Sequence, residues 1–120
     1  PVYNQVDWLG DALEHLARQS YKNFSVIVGD NCSDDDIGSK VQEFSGRLNI
    51  IYRRDEEFLA KADNWTRALS YSQSEFTMLH HADDLLHQDC IRVLHQMFHK
   101  DSQTYIIGKD LRRVTFICRF

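Results

Sequence analysis

Three short polar clusters contain the side chains of this sequence that could do chemistry. They are Tyr3-Asn4, the Asp- and Asn-rich residues 30–35, and His81-Ala82-Asp83-Asp84. Asp83, with Asp84 beside it, offers hard carboxylate oxygens of the kind that hold Mg²⁺ or Mn²⁺. Such a cation can bridge two phosphates and neutralise charge on a diphosphate leaving group. Asp and Asn also favour turns, but three clusters at matching places predict a site more strongly than one would.

Helices and strands are predicted to alternate along the chain and to position these clusters. Apolar residues at helical spacing predict helices over residues 6–19, 37–45, 62–72 and 89–100. Apolar, β-branched runs predict strands over residues 24–29, 48–52, 75–79, 105–108 and 114–117. The alternation predicts an α/β domain with right-handed β-α-β units and a mainly parallel sheet, covered by helices on both faces. Such a sheet binds its ligand at the carboxyl ends of its strands, where the three clusters fall.

Composition and charge narrow the functional classes. A formal net charge of −4 argues against a broad basic surface for nucleic acid. Phosphates would therefore be bound locally, by backbone amides, a few cations or a metal. No apolar run approaches the roughly 20 residues that a membrane helix needs. Three widely spaced cysteines, an odd number, suit a reducing compartment better than a disulfide framework.

Four segments of the chain resemble segments of a known family and occur in the same order as in that family. They are Pro1-Val-Tyr-Asn4, the segment Val26-Ile-Val-Gly-Asp30-Asn-Cys-Ser33-Asp-Asp35, Asn64 with Ala68, and Met78-Leu-His-His-Ala-Asp-Asp-Leu-Leu86. Together they resemble the opening of family 2 glycosyltransferases, which have the Rossmann-like GT-A fold. The resemblance runs from residue 1 to about residue 99. It implies that residues 1–120 are a single partial domain, the nucleotide-sugar-binding half of such an enzyme.

The resemblance implies a role for each matching position. The backbone of Tyr3 and the carboxylate of Asp30 would contact the nucleotide base, and Lys61 would approach the base or a phosphate. Asp83 would ligate Mn²⁺ or Mg²⁺, and Asp84 would support the loop or the donor sugar. The other nucleotide-binding positions that the resemblance implies are Asn4, Asn31, His81 and Ala82.

The sequence departs from the family pattern at several of these positions. His81 stands at the first position of the D-x-D motif, where an imidazole could bond ribose or ligate a metal as a neutral nitrogen. Asn31 stands where the family usually has Asp, and Cys32 replaces a common Gly. Asp63 stands where relatives often have a basic residue.

The resemblance also implies a reaction, which is metal-dependent transfer of a sugar from a nucleoside-diphosphate donor, most often UDP-linked. The acceptor, a glycan, a lipid or a polysaccharide, would attack the anomeric carbon of the donor sugar, with inversion and departure of the nucleoside diphosphate. The general base is expected beyond Phe120, so this length of chain is expected to be inactive by itself. A cytoplasmic location, including the inner face of the membrane, is expected. The alternatives are a non-catalytic nucleotide- or sugar-binding module and an inactive fragment.

Two further sets of residues have competing interpretations. Histidines between residues 80 and 99, among them His95 and His99 four apart with His87 and Cys90 nearby, raise a zinc hypothesis. No His-Glu-x-x-His or paired-cysteine spacing supports it, so solvated helix-face histidines are favoured. The spacing of Trp8 and Trp65 favours core packing over a sugar platform.

Overall fold

A computed structural model describes residues 1–100 of the chain and contains four helices and two strands there. The predicted strands at 105–108 and 114–117 lie outside the described residues. In chain order the elements are α1 (Val6–Ala17), β1 (Val26–Asp30), α2 (Ile37–Glu43), β2 (Ile50–Arg54), α3 (Lys61–Ser70) and α4 (Cys90–Lys100). All four predicted helices are therefore present, with ends that differ by a few residues.

The two strands form a parallel sheet, as the alternating pattern predicted. Val26 pairs with Ile50 and Asp30 with Arg54 at the two ends of the register. On the opposite edge of β1, Val2 makes an isolated parallel bridge to Asp30. The start of the chain therefore lies beside the carboxyl end of β1.

Helices pack on both faces of this sheet, because consecutive strand residues point to opposite faces. Val28 belongs to the main core cluster with Leu13 of α1 and Ile37 of α2. The next residue, Gly29, faces α3, and a Cβ atom added to it would lie 3.4 Å from the Cβ of Ala68. The predicted α/β architecture with covered faces is confirmed.

The prediction of a strand at residues 75–79 was wrong. That segment has no strand pairing in the structure. A cavity of about 890 Å³ lies between it and β1, lined by Val26 and Val28 on one side and by Phe76 and Met78 on the other. Neighbouring strands pair only where their backbones approach to about 4.8 Å, and segments on opposite sides of this cavity are too far apart to do so.

Two smaller corrections concern helix ends and faces. Helix α1 ends at Ala17 rather than Gln19, because the fully buried Gln19 side chain bonds the carbonyl of His87 (2.8 Å) and the backbone N–H of Ile91 (3.0 Å). Trp8 was predicted to pack in the core but is 58% exposed. Helical spacing therefore did not distinguish Trp8 from the residues of α1 that do face the core, which include Leu9, Leu13 and Leu16.

Candidate functional site

A crevice of about 290 Å³ lies where β1 ends and the chain start bridges to it. We call it the strand-end crevice. Its lining comes from three places, namely residues 1–3 and 5 with Asn31, the 58–65 segment that leads into α3, and residues 81–83. Tyr3, Asn31, Lys61, His81, Ala82 and Asp83, which the sequence singled out, all line it. Asn4, Asp30 and Asp84 do not.

Asp30 is fully buried at the carboxyl end of β1, and both of its carboxylate oxygens accept hydrogen bonds from the protein. Oδ1 accepts from the backbone N–H of Ser33 (2.9 Å). Oδ2 accepts from the hydroxyl of Tyr52 (2.7 Å) and from the guanidinium of Arg54 (3.1 Å). Burial acts to raise the pKa of Asp30, but the bonds from Ser33 and Tyr52 and the charge of Arg54 outweigh it and hold the pKa below its usual range. Asp30 is therefore an ionised anchor for the loop that follows β1.

Asn31 is almost as buried and fixes a second loop. Its Nδ2 donates to the carbonyl of Leu59 (2.9 Å), and its Oδ1 accepts from the N–H of Leu59 (3.0 Å) and from Arg67 (2.7 Å). Arg67 in turn pairs with Asp55 at 2.7 Å. The amide holds residues 55–59 against the end of β1 and thereby positions one wall of the crevice.

Asn4 joins the chain start to the loop after β1. Its N–H donates to Ser33 Oγ (3.1 Å), and its side-chain oxygen accepts from the N–H of Asp34 (2.7 Å). Asn4 and Cys32 both have positive φ angles, 49° and 62°. Asn tolerates this region well and Cys does not, so the backbone is strained at Cys32.

Two exposed aromatic rings form one side of the crevice. The rings of Tyr3 and Phe58 lie 4.9 Å apart and tilted by 55°, and they are 43% and 58% exposed. Exposed, contacting aromatic rings beside a polar pocket offer a flat apolar surface on which a planar ring can stack.

The opposite side of the crevice combines a cation, an indole and an imidazole. The Lys61 ammonium lies 4.9 Å from the centre of the Trp65 ring, and the His81 ring lies 4.8 Å from the same indole. Burial lowers the pKa of His81, although the charges of Asp84 and Asp83 oppose this shift. His81 is accordingly a neutral imidazole at pH 7. The prediction that Trp65 packs in the core was wrong, because the indole lines the crevice.

Asp83 is exposed and makes no hydrogen bond or ion pair with another residue of the described range 1–100. Asp84, in contrast, is buried, and its N–H donates to the carbonyl of His81 (3.1 Å), which closes the turn that carries Asp83. Within residues 1–100, no three His, Cys, Asp or Glu side chains converge as a metal site would require. The donor set thus fits a hard divalent cation as one carboxylate ligand, with the remaining oxygens to come from a ligand or water.

The histidines of α4 form a pair. The Nε2 atoms of His95 and His99 lie 3.0 Å apart on adjacent turns. No third ligand joins them among the described residues. Cys90 is partly buried, and its burial raises the pKa of the thiol.

Several residues of the crevice were missed by sequence reasoning. Phe58 and Asn64 line it, and Tyr52, Arg54 and Arg67 organise its back. The contact of Phe58 with Tyr3, 55 residues away in sequence, had no local signal. The position of Asn64 within the Asn-x-x-x-Ala segment was the one available indication for that residue.

No helix within the described range is both long and apolar enough to cross a membrane.

Comparisons with known proteins agree on one relationship. Residues 1–113 match the family model described as Glycosyl transferase family 2. Glycosyltransferase GlyG of Streptococcus pneumoniae is 25% identical over 111 residues, which cover 90% of this chain and 36% of GlyG. Abequosyltransferase RfbV of Salmonella typhimurium is 24% identical over 113 residues, which cover 91% of this chain and 34% of RfbV. The chain thus spans about a third of the length of these relatives.

Solved structures show the same fold. S. aureus TarS 1-349 in complex with UDP superposes with a TM-score of 0.79 at 22% identity, covering 95% of this chain and 36% of TarS 1-349. Mannosyltransferase PcManGT from Pyrobaculum calidifontis, in complex with GDP-Man and Mn²⁺, superposes with a TM-score of 0.80 at 22% identity, covering 90% of this chain and 33% of PcManGT. The expected Rossmann-like GT-A architecture is confirmed.

Proposed function

Because the chain belongs to glycosyl transferase family 2, we propose that its strand-end crevice binds the nucleoside-diphosphate part of an activated sugar donor. The observation that carries the proposal is the convergence of an aromatic wall, a cation, a neutral imidazole and an exposed carboxylate at the carboxyl end of a parallel sheet. Each of these groups matches one part of such a donor. TarS binds UDP and UDP-GlcNAc and PcManGT binds GDP-Man with Mn²⁺, which supports this class of ligand.

We assign the base to the aromatic wall. The rings of Tyr3 and Phe58 give the base a surface for stacking, and the backbone of Tyr3 lies at the same edge. We do not place the base directly on Asp30 or Asn31, because both side chains are buried and their oxygens already accept hydrogen bonds from the protein. Their proposed contribution is to hold the two loops that carry the base-binding groups.

We assign the diphosphate and the ribose to the other side of the crevice. Lys61 supplies a positive charge for phosphate oxygens, and the neutral His81 supplies a hydrogen bond for a ribose hydroxyl. Asp83 would hold Mn²⁺ or Mg²⁺, and Asp84 keeps the turn of Asp83 in place. When bound, the cation supplies charge neutralisation for a departing diphosphate.

The complete reaction is proposed to be glycosyl transfer with inversion to a glycan, lipid or polysaccharide acceptor. This requires a general base beside the acceptor, and none of the crevice residues has that role. The expectation that the base lies beyond Phe120 stays a prediction. Asp83, the one carboxylate that faces the crevice without a described partner, is assigned to the metal.

The 120-residue chain is expected to bind a UDP-linked donor in the presence of Mn²⁺ but to transfer no sugar by itself. It spans about a third of its relatives, so a base and an acceptor site are expected elsewhere in the whole protein. The checks are calorimetry with UDP and product analysis by mass spectrometry with a panel of donors and acceptors. Slow hydrolysis of the donor to water is compatible with the proposal. A donor-dependent glycosylated product above a no-protein control would contradict it, and failure of UDP to bind would remove the nucleotide assignment.

A further inference from the structure

Trp65 contacts two of the groups that the proposed function assigns to the nucleotide. Its indole has the Lys61 ammonium 4.9 Å from the ring centre and the His81 ring at 4.8 Å, tilted by 57°. All three side chains line the strand-end crevice. Lys61 and Trp65 are one helical turn apart on α3, whereas His81 comes from a different segment. The indole therefore links the two segments at the crevice.

Core packing does not account for this tryptophan. Within residues 1–100, Trp65 belongs to neither of the two hydrophobic clusters. The face of α3 that meets the sheet carries Ala68, which packs on Gly29. The indole of Trp65 contacts a cation and an imidazole in a pocket, and such contacts orient polar groups instead of filling an aliphatic core.

The physical consequence of this arrangement is preorganisation. A free lysine side chain samples many rotamers, and binding a phosphate would require ordering it. A ring that attracts the ammonium restricts these rotamers before a ligand arrives. The same ring limits rotation of the His81 imidazole by contact. Groups that are ordered in advance bind more tightly, since the ordering cost is already met in the free protein.

We propose that Trp65 is a positioning residue, which holds Lys61 and His81 in the orientation that binds the diphosphate and the ribose of the donor. This proposal rests on the proposed function, because it presumes that a nucleotide occupies the crevice. It adds a residue that the family resemblance did not indicate, and it makes Lys61 and His81 a coupled pair.

The test measures the affinity of the purified 120-residue chain for UDP in the presence of Mn²⁺. Trp65→Leu is expected to weaken UDP binding about tenfold, roughly what one cation–ring and one ring–ring contact are worth together. Trp65→Phe keeps an aromatic face and is expected to retain most of the affinity. Trp8→Phe, which alters the exposed tryptophan of α1, is the matched control and is expected to bind like the parent.

Coupling separates positioning from a general structural role. In a Lys61→Met background the effect of Trp65→Leu is expected to shrink to about threefold or less, because one of its two targets is gone. A structural role would give the same loss in both backgrounds. In the Trp8→Phe chain, Trp65 is the sole tryptophan of the sequence, and UDP is expected to change its fluorescence.

The outcomes are distinct. Parent-like UDP affinity in Trp65→Leu, or an equal loss in the Lys61→Met background, would overturn the positioning role while leaving the nucleotide site intact. If Trp65→Leu does not fold, an unchanged Trp65 fluorescence on UDP binding to Trp8→Phe would overturn it instead. Failure of the parent chain to bind UDP would remove the proposed function and this proposal together.

Discussion

Replacing Asp83 with alanine is expected to abolish the metal-dependent part of nucleotide binding. Asp83 is the exposed carboxylate of the strand-end crevice, and it has no partner among residues 1–100. One carboxylate binds Mn²⁺ weakly, but the diphosphate oxygens of a donor complete the shell, so metal and nucleotide should bind cooperatively. Without Asp83 the affinity for UDP with Mn²⁺ should equal the affinity in EDTA. The loss should be at least the roughly 10- to 100-fold that removing an outer-shell partner costs a metal site.

Companion variants identify which property of Asp83 matters. Asp83→Asn keeps the shape but loses the charge, so it should be nearly as damaging as alanine. Asp34→Ala removes an exposed carboxylate from the neighbouring loop and is the control for a general change of charge. Because Asp83 makes no described contact, its substitution should change the free energy of unfolding by no more than about 0.5 kcal/mol.

His81 gives a second check within the same calorimetric series. His81→Asp restores the usual family residue and adds negative charge, so metal affinity should stay or rise. His81→Ala should weaken UDP binding by about 1 kcal/mol, the net worth of an ordinary hydrogen bond. If Asp83→Ala bound UDP with Mn²⁺ as tightly as the parent, the metal assignment would be wrong. If His81→Ala alone removed metal binding, the ligand would be the imidazole.

Replacing Asp30 with alanine is expected to lower the free energy of unfolding by about 3 kcal/mol. The substitution leaves the Ser33 N–H and the Tyr52 hydroxyl without their acceptor, and each buried orphan donor costs roughly 1–3 kcal/mol. Arg54 contributes less, because its side chain is half exposed and can return to water. Urea unfolding at pH 7 measures the difference. Asp36→Ala, which removes the side-chain cap of α2, is the comparison and should cost clearly less than Asp30→Ala.

The same carboxylate gives a pH dependence with a defined sign. The pKa of Asp30 in the folded protein lies below its ordinary value, despite burial, because of the hydrogen bonds from Ser33 and Tyr52. A depressed folded pKa adds stability that is fully present above the unfolded pKa of about 3.9 and is lost as the pH falls through the folded pKa. Asp30→Asn lacks this titration, so its stability difference from the parent should shrink below pH 4. A difference that grew on acidification, or an Asp30→Ala chain as stable as the parent, would contradict the anchor role.

Periodicity and strand-end chemistry predicted most of the architecture. The apolar spacing of α1 and the β-branched run of β1 are local signals, and the core that they form follows from them. The strand predicted at residues 75–79 had the same local signal but needs a neighbouring backbone to pair with, which local sequence cannot report. A cavity, and not a paired backbone, separates residues 75–79 from β1.

Residue type singled out polar positions at the strand ends but not the contacts that hold them. Asp30, Asn31 and Asp83 were all interpreted as ligand contacts, and the structure adds that the first two accept hydrogen bonds from Tyr52, Arg54 and Arg67. Those partners lie 22 to 36 residues away in sequence, so their hydrogen bonds could not be foreseen from spacing. Trp65 was assigned to the core for a similar reason, since its contact with His81 depends on how α3 meets a distant turn.

Bound UDP can be mapped onto the backbone by NMR, with Mg²⁺ as the divalent cation, which tests directly whether the strand-end crevice is the nucleotide site. We expect the amide shifts to concentrate at Tyr3, at residues 58–65 and at residues 81–84, and Asp83→Ala to remove the shifts that depend on Mg²⁺. A second cavity, the larger one of about 890 Å³, offers a clear alternative place for the ligand. Shifts that concentrate instead at Phe76, Met78, Leu94 and Phe98 around that cavity would show that the nucleotide binds elsewhere.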